Sequence, residues 1–139
     1  MIAILRLRTL LLCLKIMKNK QEKFFPKRGE VYLINFDPTI GSEIKKTRPA
    51  LIIQNDVSNK YSPVTIVAAI SSQFDGIFYP NEVLIKSPEG GLNVDSVALL
   101  NQIRTIDCQR LIKKIGHVSN STIQKIDIAM KISLGLIEF

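Results

Sequence analysis

The sequence predicts a small, mainly β domain: a strongly bent antiparallel sheet or barrel closed by one C-terminal helix. Three observations carry that expectation. Short runs rich in β-branched and aromatic residues follow one another between turn residues from position 30 to about 117, the pattern of an all-β unit. Near the C-terminus the apolar spacing lengthens to three and four residues, which marks one face of a helix. The chain has 139 residues and no Pro- or Ser-rich linker, enough for one domain that buries a core without disulfides or structural metal.

Taken in order, "EVYLINF" (30–36) is the first strand, with Val31, Leu33 and Asn35 on one side and Tyr32, Ile34 and Phe36 on the other. "DPTIGSEIKKT" combines Asp-Pro, a glycine and scattered charge with no apolar period. It is a loop of about eleven residues, long by connection statistics and therefore a place to look for function. "PALIIQN" (49–55) is the second strand, with Pro49 at a first position where a missing N–H is tolerated. "TIVAAISSQ" (65–73) is apolar up to Ser71 and Ser72 and reads as a buried strand ending in hydroxyls. "YPNEVLI", the "SPEGG" turn and "SVALLNQIRTI" supply further strands, and "DCQRLIKKIGHV" is a helical turn followed by a strand. In the final helix Ile123, Ile126, Met130 and Leu134 form the apolar side, broadened by Ile128 and Ile132. Ser121 with Gln124 is the expected capping box, and Gly135 the left-handed terminal residue.

Residues 1–16, "MIAILRLRTLLLCLKI", differ from the rest. Arg6, Arg8 and Lys15 interrupt the apolar run, so it is too short to span a bilayer, and the polar continuation lacks a signal-peptide cleavage pattern. The segment reads as a misplaced start or dispensable extension before Met17, leaving 17–139 as the functional domain. Lys and Arg number 19 against 12 Asp and Glu, a formal charge of +7. The first sixteen residues hold three of those cations and no acid, so the body carries +4. A polyanionic partner fits, nucleic acid first. Cys13 and Cys108 are too few for a disulfide framework and read as free thiols of a reducing cytoplasm.

The chain lacks G-x-S-x-G, a phosphate-binding Gly-rich loop and H-E-x-x-H, and its single histidine, His117, follows an apolar run where a structural role is the simpler reading. No metal-ligand cluster is evident, and no cofactor or metal is expected.

"RGEVYLINFDPTIGSEIKKTRPALIIQND", "SPVTIVAAISSQ", "SVALLNQIRTID" and "KISLGLIEF" occur in that order. Together they closely resemble the MazF/PemK toxins, sequence-specific endoribonucleases of bacterial toxin–antitoxin systems. The match runs from about Arg28 to the C-terminus. It implies an SH3-like barrel with a C-terminal helix, a homodimer, metal-independent cleavage of single-stranded RNA, and a MazE/PemI-like antitoxin whose acidic, flexible tail competes with RNA. No membrane partner is implied. The arginine of the family's R-P signature falls on Arg48 and the hydroxyl residue closing the "IVAAI" strand on Ser71. The acid of "GSE" falls on Glu43, while Lys45, Lys46 and Gln102 are candidate substrate contacts. Some PemK-type relatives carry a charged pair where this chain has Leu99 and Asn101, so an acid–base scheme built on that pair does not transfer.

The chemistry gives these residues work. When a 2′-hydroxyl attacks the adjacent phosphorus, charge builds on the phosphoryl oxygens, and a planar guanidinium meets it with paired hydrogen bonds. Arginine stays protonated near neutrality, so Arg48 is an electrostatic stabiliser rather than a base. Ser71 adds a donor, the lysines attract phosphate, and Glu43 takes the proton if the loop closes over RNA. The ordinary alternatives are an Arg48 paired with an acid, a Ser71 that merely ends a strand and a Gln102 that caps backbone. Rival functions are a CcdB-like toxin that binds gyrase without cutting RNA, and a basic RNA- or protein-binding module.

Overall fold

The computed structural model describes residues 2–19 and 24–138. Six strands form one antiparallel sheet: β1 Glu30–Asn35, β2 Thr47–Ile52, β3 Val64–Ser71, β4 Glu82–Ile85, β5 Ser96–Asp107 and β6 Leu111–His117, in the order β4-β5-β3-β2-β1-β6. Three helices accompany them: α1 Ile2–Asn19, α2 Asp56–Tyr61 and α3 Asn120–Ser133.

Both faces of the sheet are buried, as the paired apolar sets of "EVYLINF" require. Val31, Leu51, Ala68, Ile70, Ala98 and Leu100 meet Ile126 and Ala129 of α3 in one cluster. Tyr32, Ile34, Phe36, Ala50, Ile52, Val67, Ala69 and Ile106 form the other. Each fully buried Val, Leu, Ile or Phe side chain here contributes about 1.5–3 kcal/mol relative to exposure.

Of the two forms expected, a bent sheet or a barrel, the strands take the open sheet. β4 and β6 are its edges, and among the described residues no ladder joins them. The reason lies in the 3₁₀ turn Glu89–Gly91, which follows β4 and packs on β6. A Cβ on Gly91 (φ +71°) would stand 1.8 Å from the carbonyl oxygen of Ile115, and one on Gly116 2.5 Å from the backbone of Gly90. Two backbones thus fill the seam that a strand pair would otherwise close. The sheet bends at β5, where Ile103 pairs with Ala68 but Leu99 with Ala69, leaving Leu100, Asn101 and Gln102 without partners on β3.

Several element ends differ from the sequence reading. β2 begins at Thr47, so Pro49 sits inside the strand opposite Leu33, one residue before the β3 ladder starts at Ala50. α2 has no counterpart in the reading; it is short and capped by Asn55, whose side chain accepts the Ser58 N–H at 2.8 Å. The cap of α3 is Ser119 rather than Ser121, with its oxygen accepting from Thr122 N–H at 3.3 Å. Gly135 takes φ +71°, and the Leu136 N–H reaches the Lys131 carbonyl at 2.8 Å, the expected left-handed close. Ile126 is buried, but Ile128 and Leu134 lie exposed, so the helix's apolar side is narrower than the spacing implied.

Glu89 supplies the reciprocal bond that Gln124 was expected to supply. Its carboxylate accepts the Ser119 N–H at 3.0 Å and the Thr122 hydroxyl at 2.7 Å. Partial burial pushes the carboxyl up, but the Ser119 N–H and the Thr122 and Ser119 hydroxyls, helped by Lys125, outweigh it and hold the carboxyl below its ordinary value. The stabilisation is therefore complete above the unfolded-chain pKa of about 4.3 and is lost as pH falls through the lower folded value. A wild-type urea midpoint that drops between about pH 6 and pH 3 more than that of Glu89→Gln is the expected result. At the other end, Arg28 ties α3 to the sheet by pairing with Asp127 while its Nε donates to the Ile53 carbonyl at 2.9 Å.

α1 leaves Leu5, Leu7, Leu10, Leu11 and Leu12 exposed and touches α2. Among the described residues no helix is long and apolar enough to cross a membrane.

Candidate active site

Strand parity decides which candidates share a face. Ala50 and Ala69 are paired and both belong to the second apolar cluster. The ladder ends there: Arg48, two residues earlier on β2, and Ser71, two residues later on β3, have the parity of that pair but are not themselves paired. Arg48 is also opposite Ile34 on β1. Its half-exposed guanidinium is anchored by Nε, which donates to the Lys45 carbonyl at 2.8 Å, so the anchoring contact leaves the two terminal nitrogens to offer a fork. Ser71 is buried, and its oxygen accepts the Gln73 N–H at 3.1 Å, which leaves its own proton to donate.

The β1–β2 loop is shaped by a tight neck. Phe36 N–H meets the Lys46 carbonyl at 2.9 Å, and Lys46 N–H meets Asp37 Oδ1 at 3.1 Å. Lys46 holds φ +65°, a left-handed conformation uncommon for a residue with a side chain, and these two bonds keep it there. Lys45 and Lys46 are both exposed beside Arg48 in the chain.

Gln102 lies under the loop, its amide oxygen accepting Ile44 N–H and its nitrogen donating to the Ser42 carbonyl, both at 3.4 Å. The amide therefore braces the loop instead of standing free for substrate. Glu43 is exposed and lines a cavity of about 300 Å³ with Gln102 and Arg104. Arg48 lines a different cavity, of about 270 Å³, shared with Leu33, Pro49 and Ser72. Ser71 lines neither cavity: Arg48 shares its own with Ile70 and Ser72, and Glu43 lines the other.

Two arginines escaped the sequence reading. Arg104 Nη1 donates to the Phe36 carbonyl at 2.6 Å, and Arg110 Nη1 to the Asn35 carbonyl at 3.0 Å. Both fasten the neck of the loop. A signal existed for Arg104: two residues after Gln102 on a strand, it must share its face.

Two other titratable groups, Tyr32 and Cys108, do not compete as bases. Burial, reinforced by Glu30 and Cys108, pushes the Tyr32 hydroxyl up to about 12. Burial and Asp107 push the Cys108 thiol up as well. Both stay protonated near neutrality. Among the described residues no group of three His, Cys, Asp or Glu side chains could hold a metal ion.

Comparison with known proteins bears on this arrangement. Residues 27–134 match the model of the PemK-like, MazF-like toxins of type II toxin–antitoxin systems. Endoribonuclease EndoA of Bacillus subtilis (strain 168) is 49% identical over 113 residues, which cover 81% of this chain and 97% of that protein. The crystal structure of MazF from Deinococcus radiodurans superposes with a TM-score of 0.70 at 24% identity, covering 81% of this chain and 99% of that one. A mycobacterial endoribonuclease solved in complex with its cognate antitoxin gives 0.67 at 22%, covering 82% and 99%. These two structures share the fold.

Proposed function

Because the chain belongs to the PemK-like, MazF-like toxins of type II toxin–antitoxin systems, we propose that it is a sequence-specific endoribonuclease acting on single-stranded RNA in the cytoplasm. The observation that supports this reading is the half-exposed Arg48 on β2, its Nε fixed on the Lys45 carbonyl, beside a loop that exposes Lys45 and Lys46. The substrate's 2′-hydroxyl attacks phosphorus, the P–O2′ bond forms and the P–O5′ bond breaks, giving a 2′,3′-cyclic phosphate and a 5′-hydroxyl end. The terminal nitrogens of Arg48 hold the phosphoryl oxygens as charge grows on them, and Ser71 donates from the neighbouring strand. Lys45 and Lys46 draw in the RNA backbone, with salt-dependent affinity.

Glu43 takes the 2′-hydroxyl proton once the loop carries it toward bound RNA, and Gln102 sets the loop's resting position. Glu43→Gln then cuts about 100-fold more slowly, measured as single-turnover cleavage; an unchanged rate removes Glu43 from the mechanism. Residues 17–139 suffice for activity in this scheme, and the protein works as a homodimer. Its antitoxin presents an acidic, flexible tail to the same basic surface and displaces RNA.

The deciding experiment incubates the protein with a long single-stranded RNA in EDTA and maps the ends by sequencing. Cuts at one recurring short sequence, abolished by a 2′-deoxy nucleotide at the cut, establish the reaction and its independence from metal. Intact RNA moves the assignment to a gyrase-binding toxin or a non-cutting binding module.

A further inference from the structure

Between β3 and β4 the chain exposes Phe74, Ile77, Phe78 and Tyr79 within a short loop. Clustered apolar exposure of this kind marks a contact surface. The loop is held by its own bonds. Ser71 Oγ accepts Gln73 N–H at 3.1 Å, Asp75 Oδ1 accepts Ile77 N–H at 3.1 Å around Gly76 (φ +84°), and Glu82 N–H reaches the Tyr79 carbonyl at 2.9 Å. The turn at Asp75–Gly76 brings the Phe74 and Phe78 rings to 5.7 Å between centroids with 38° between planes. Both rings remain partly open, Phe74 at 36% and Phe78 at 47%.

Three features point to the occupant. Phe74 lies three residues after Ser71, within ~10 Å of chain, so whatever covers the rings sits next to the phosphate held there. Ser72 and Gln73 before the rings and Asn81 after them are polar, unlike the continuous apolar seam of a permanent subunit contact. Tyr79 also opens a cavity of about 590 Å³ lined by Asn81, Glu82 and Asn101; the two asparagine amides carry donor and acceptor together, and the Glu82 carboxylate accepts, the chemistry of a base edge.

We propose that the Phe74–Phe78 pair is a stacking platform for an unpaired nucleobase beside the scissile phosphate. The proposal rests on the ribonuclease reading of Arg48 and Ser71. An aromatic face suits any base, so the platform sets position and affinity while the amides beyond Tyr79 select among bases.

The test uses the full chain, a Phe74→Leu/Phe78→Leu double variant, and a short RNA carrying the mapped cut sequence. That RNA is also made with single abasic sites on either side of the cut. The variant should lose about 5- to 150-fold in kcat/KM at unchanged Tm. One abasic position should cost the wild type a similar factor and cost the variant nothing further, a coupling that a purely structural role of the loop does not produce. Equal cleavage by variant and wild type overturns the platform while leaving the ribonuclease intact. Abasic and leucine losses that multiply independently overturn it as well. Conversion of a dimer to a monomer by the double variant, read by sedimentation, would assign the rings to a second copy of the chain instead. If the wild type itself leaves RNA uncut, the ribonuclease reading fails, and the platform falls with it.

Discussion

Arg48→Ala should cut single-stranded RNA about 100- to 1000-fold more slowly than the wild type, the cost of removing one preorganised donor to a developing oxyanion, about 2.7–4 kcal/mol. The loss belongs in kcat, because the fork on the phosphoryl oxygens tightens as charge accumulates. Arg48→Lys restores little: an ammonium keeps the charge but loses both the paired geometry and the Nε–H that anchors on the Lys45 carbonyl. Folding should survive, since the side chain is half-exposed and its neighbours Ala50 and Ile34 stay packed. Single-turnover cleavage in EDTA, alongside a thermal melt, checks both halves. An Arg48→Ala protein that cuts at the wild-type rate would return Arg48 to a turn-holding role.

Asn59→Ala should destabilise the fold by about 3 kcal/mol and lower Tm by roughly 10 °C. Asn59 is 2% exposed, and its Oδ1 accepts from Gln54 Nε2 at 3.0 Å and from the Thr65 hydroxyl at 2.7 Å. Its Nδ2 donates to the Gln54 carbonyl at 2.9 Å. Truncation strands the hydroxyl of Thr65, which is wholly buried, and each interior polar group left unpaired costs about 1–3 kcal/mol. Thr65→Val should cost less, because it removes the donor itself while Asn59 keeps its Gln54 partner. Urea titrations of the two variants test the ordering, and equal midpoints would show that the network carries no more than the packing of its atoms.

The strands were legible because their residues are β-branched and each run is bounded by Pro, Gly or Asp. α2 was not: "DVSNKY" makes too few turns for an apolar period to show, and it is specified by Asn55 and Asn59 bonding backbone and core. Ser121 misled for a related reason, since the true α3 cap includes a carboxylate 30 residues away in sequence, Glu89. Whether the sheet stays bent or closes into a barrel depends on the Gly91–Gly116 approach, a contact between backbones that no residue pattern announces. At the site, the resemblance supplied Arg48 and Ser71, which share strand parity but no ladder pair. The face of Arg104 was legible from its spacing to Gln102, but its partner was not, being a carbonyl 68 residues away in sequence.

The neck of the β1–β2 hairpin makes its tip and its base independent targets for mutation. Phe36, Lys46, Arg104 and Arg110 hold the base by bonds to backbone, whereas Ile40 is 81% exposed and a Cβ on Gly41 would meet nothing within 4 Å. Lengthening or recolouring the tip changes what the loop touches without moving Arg48, since loop entropy grows only slowly with length. Insertion and substitution at Thr39 and Ile40 can therefore vary the surface this hairpin presents, while Gly41, left-handed at φ +57°, and the Ser42 carbonyl that Gln102 holds keep the rest of the loop in place.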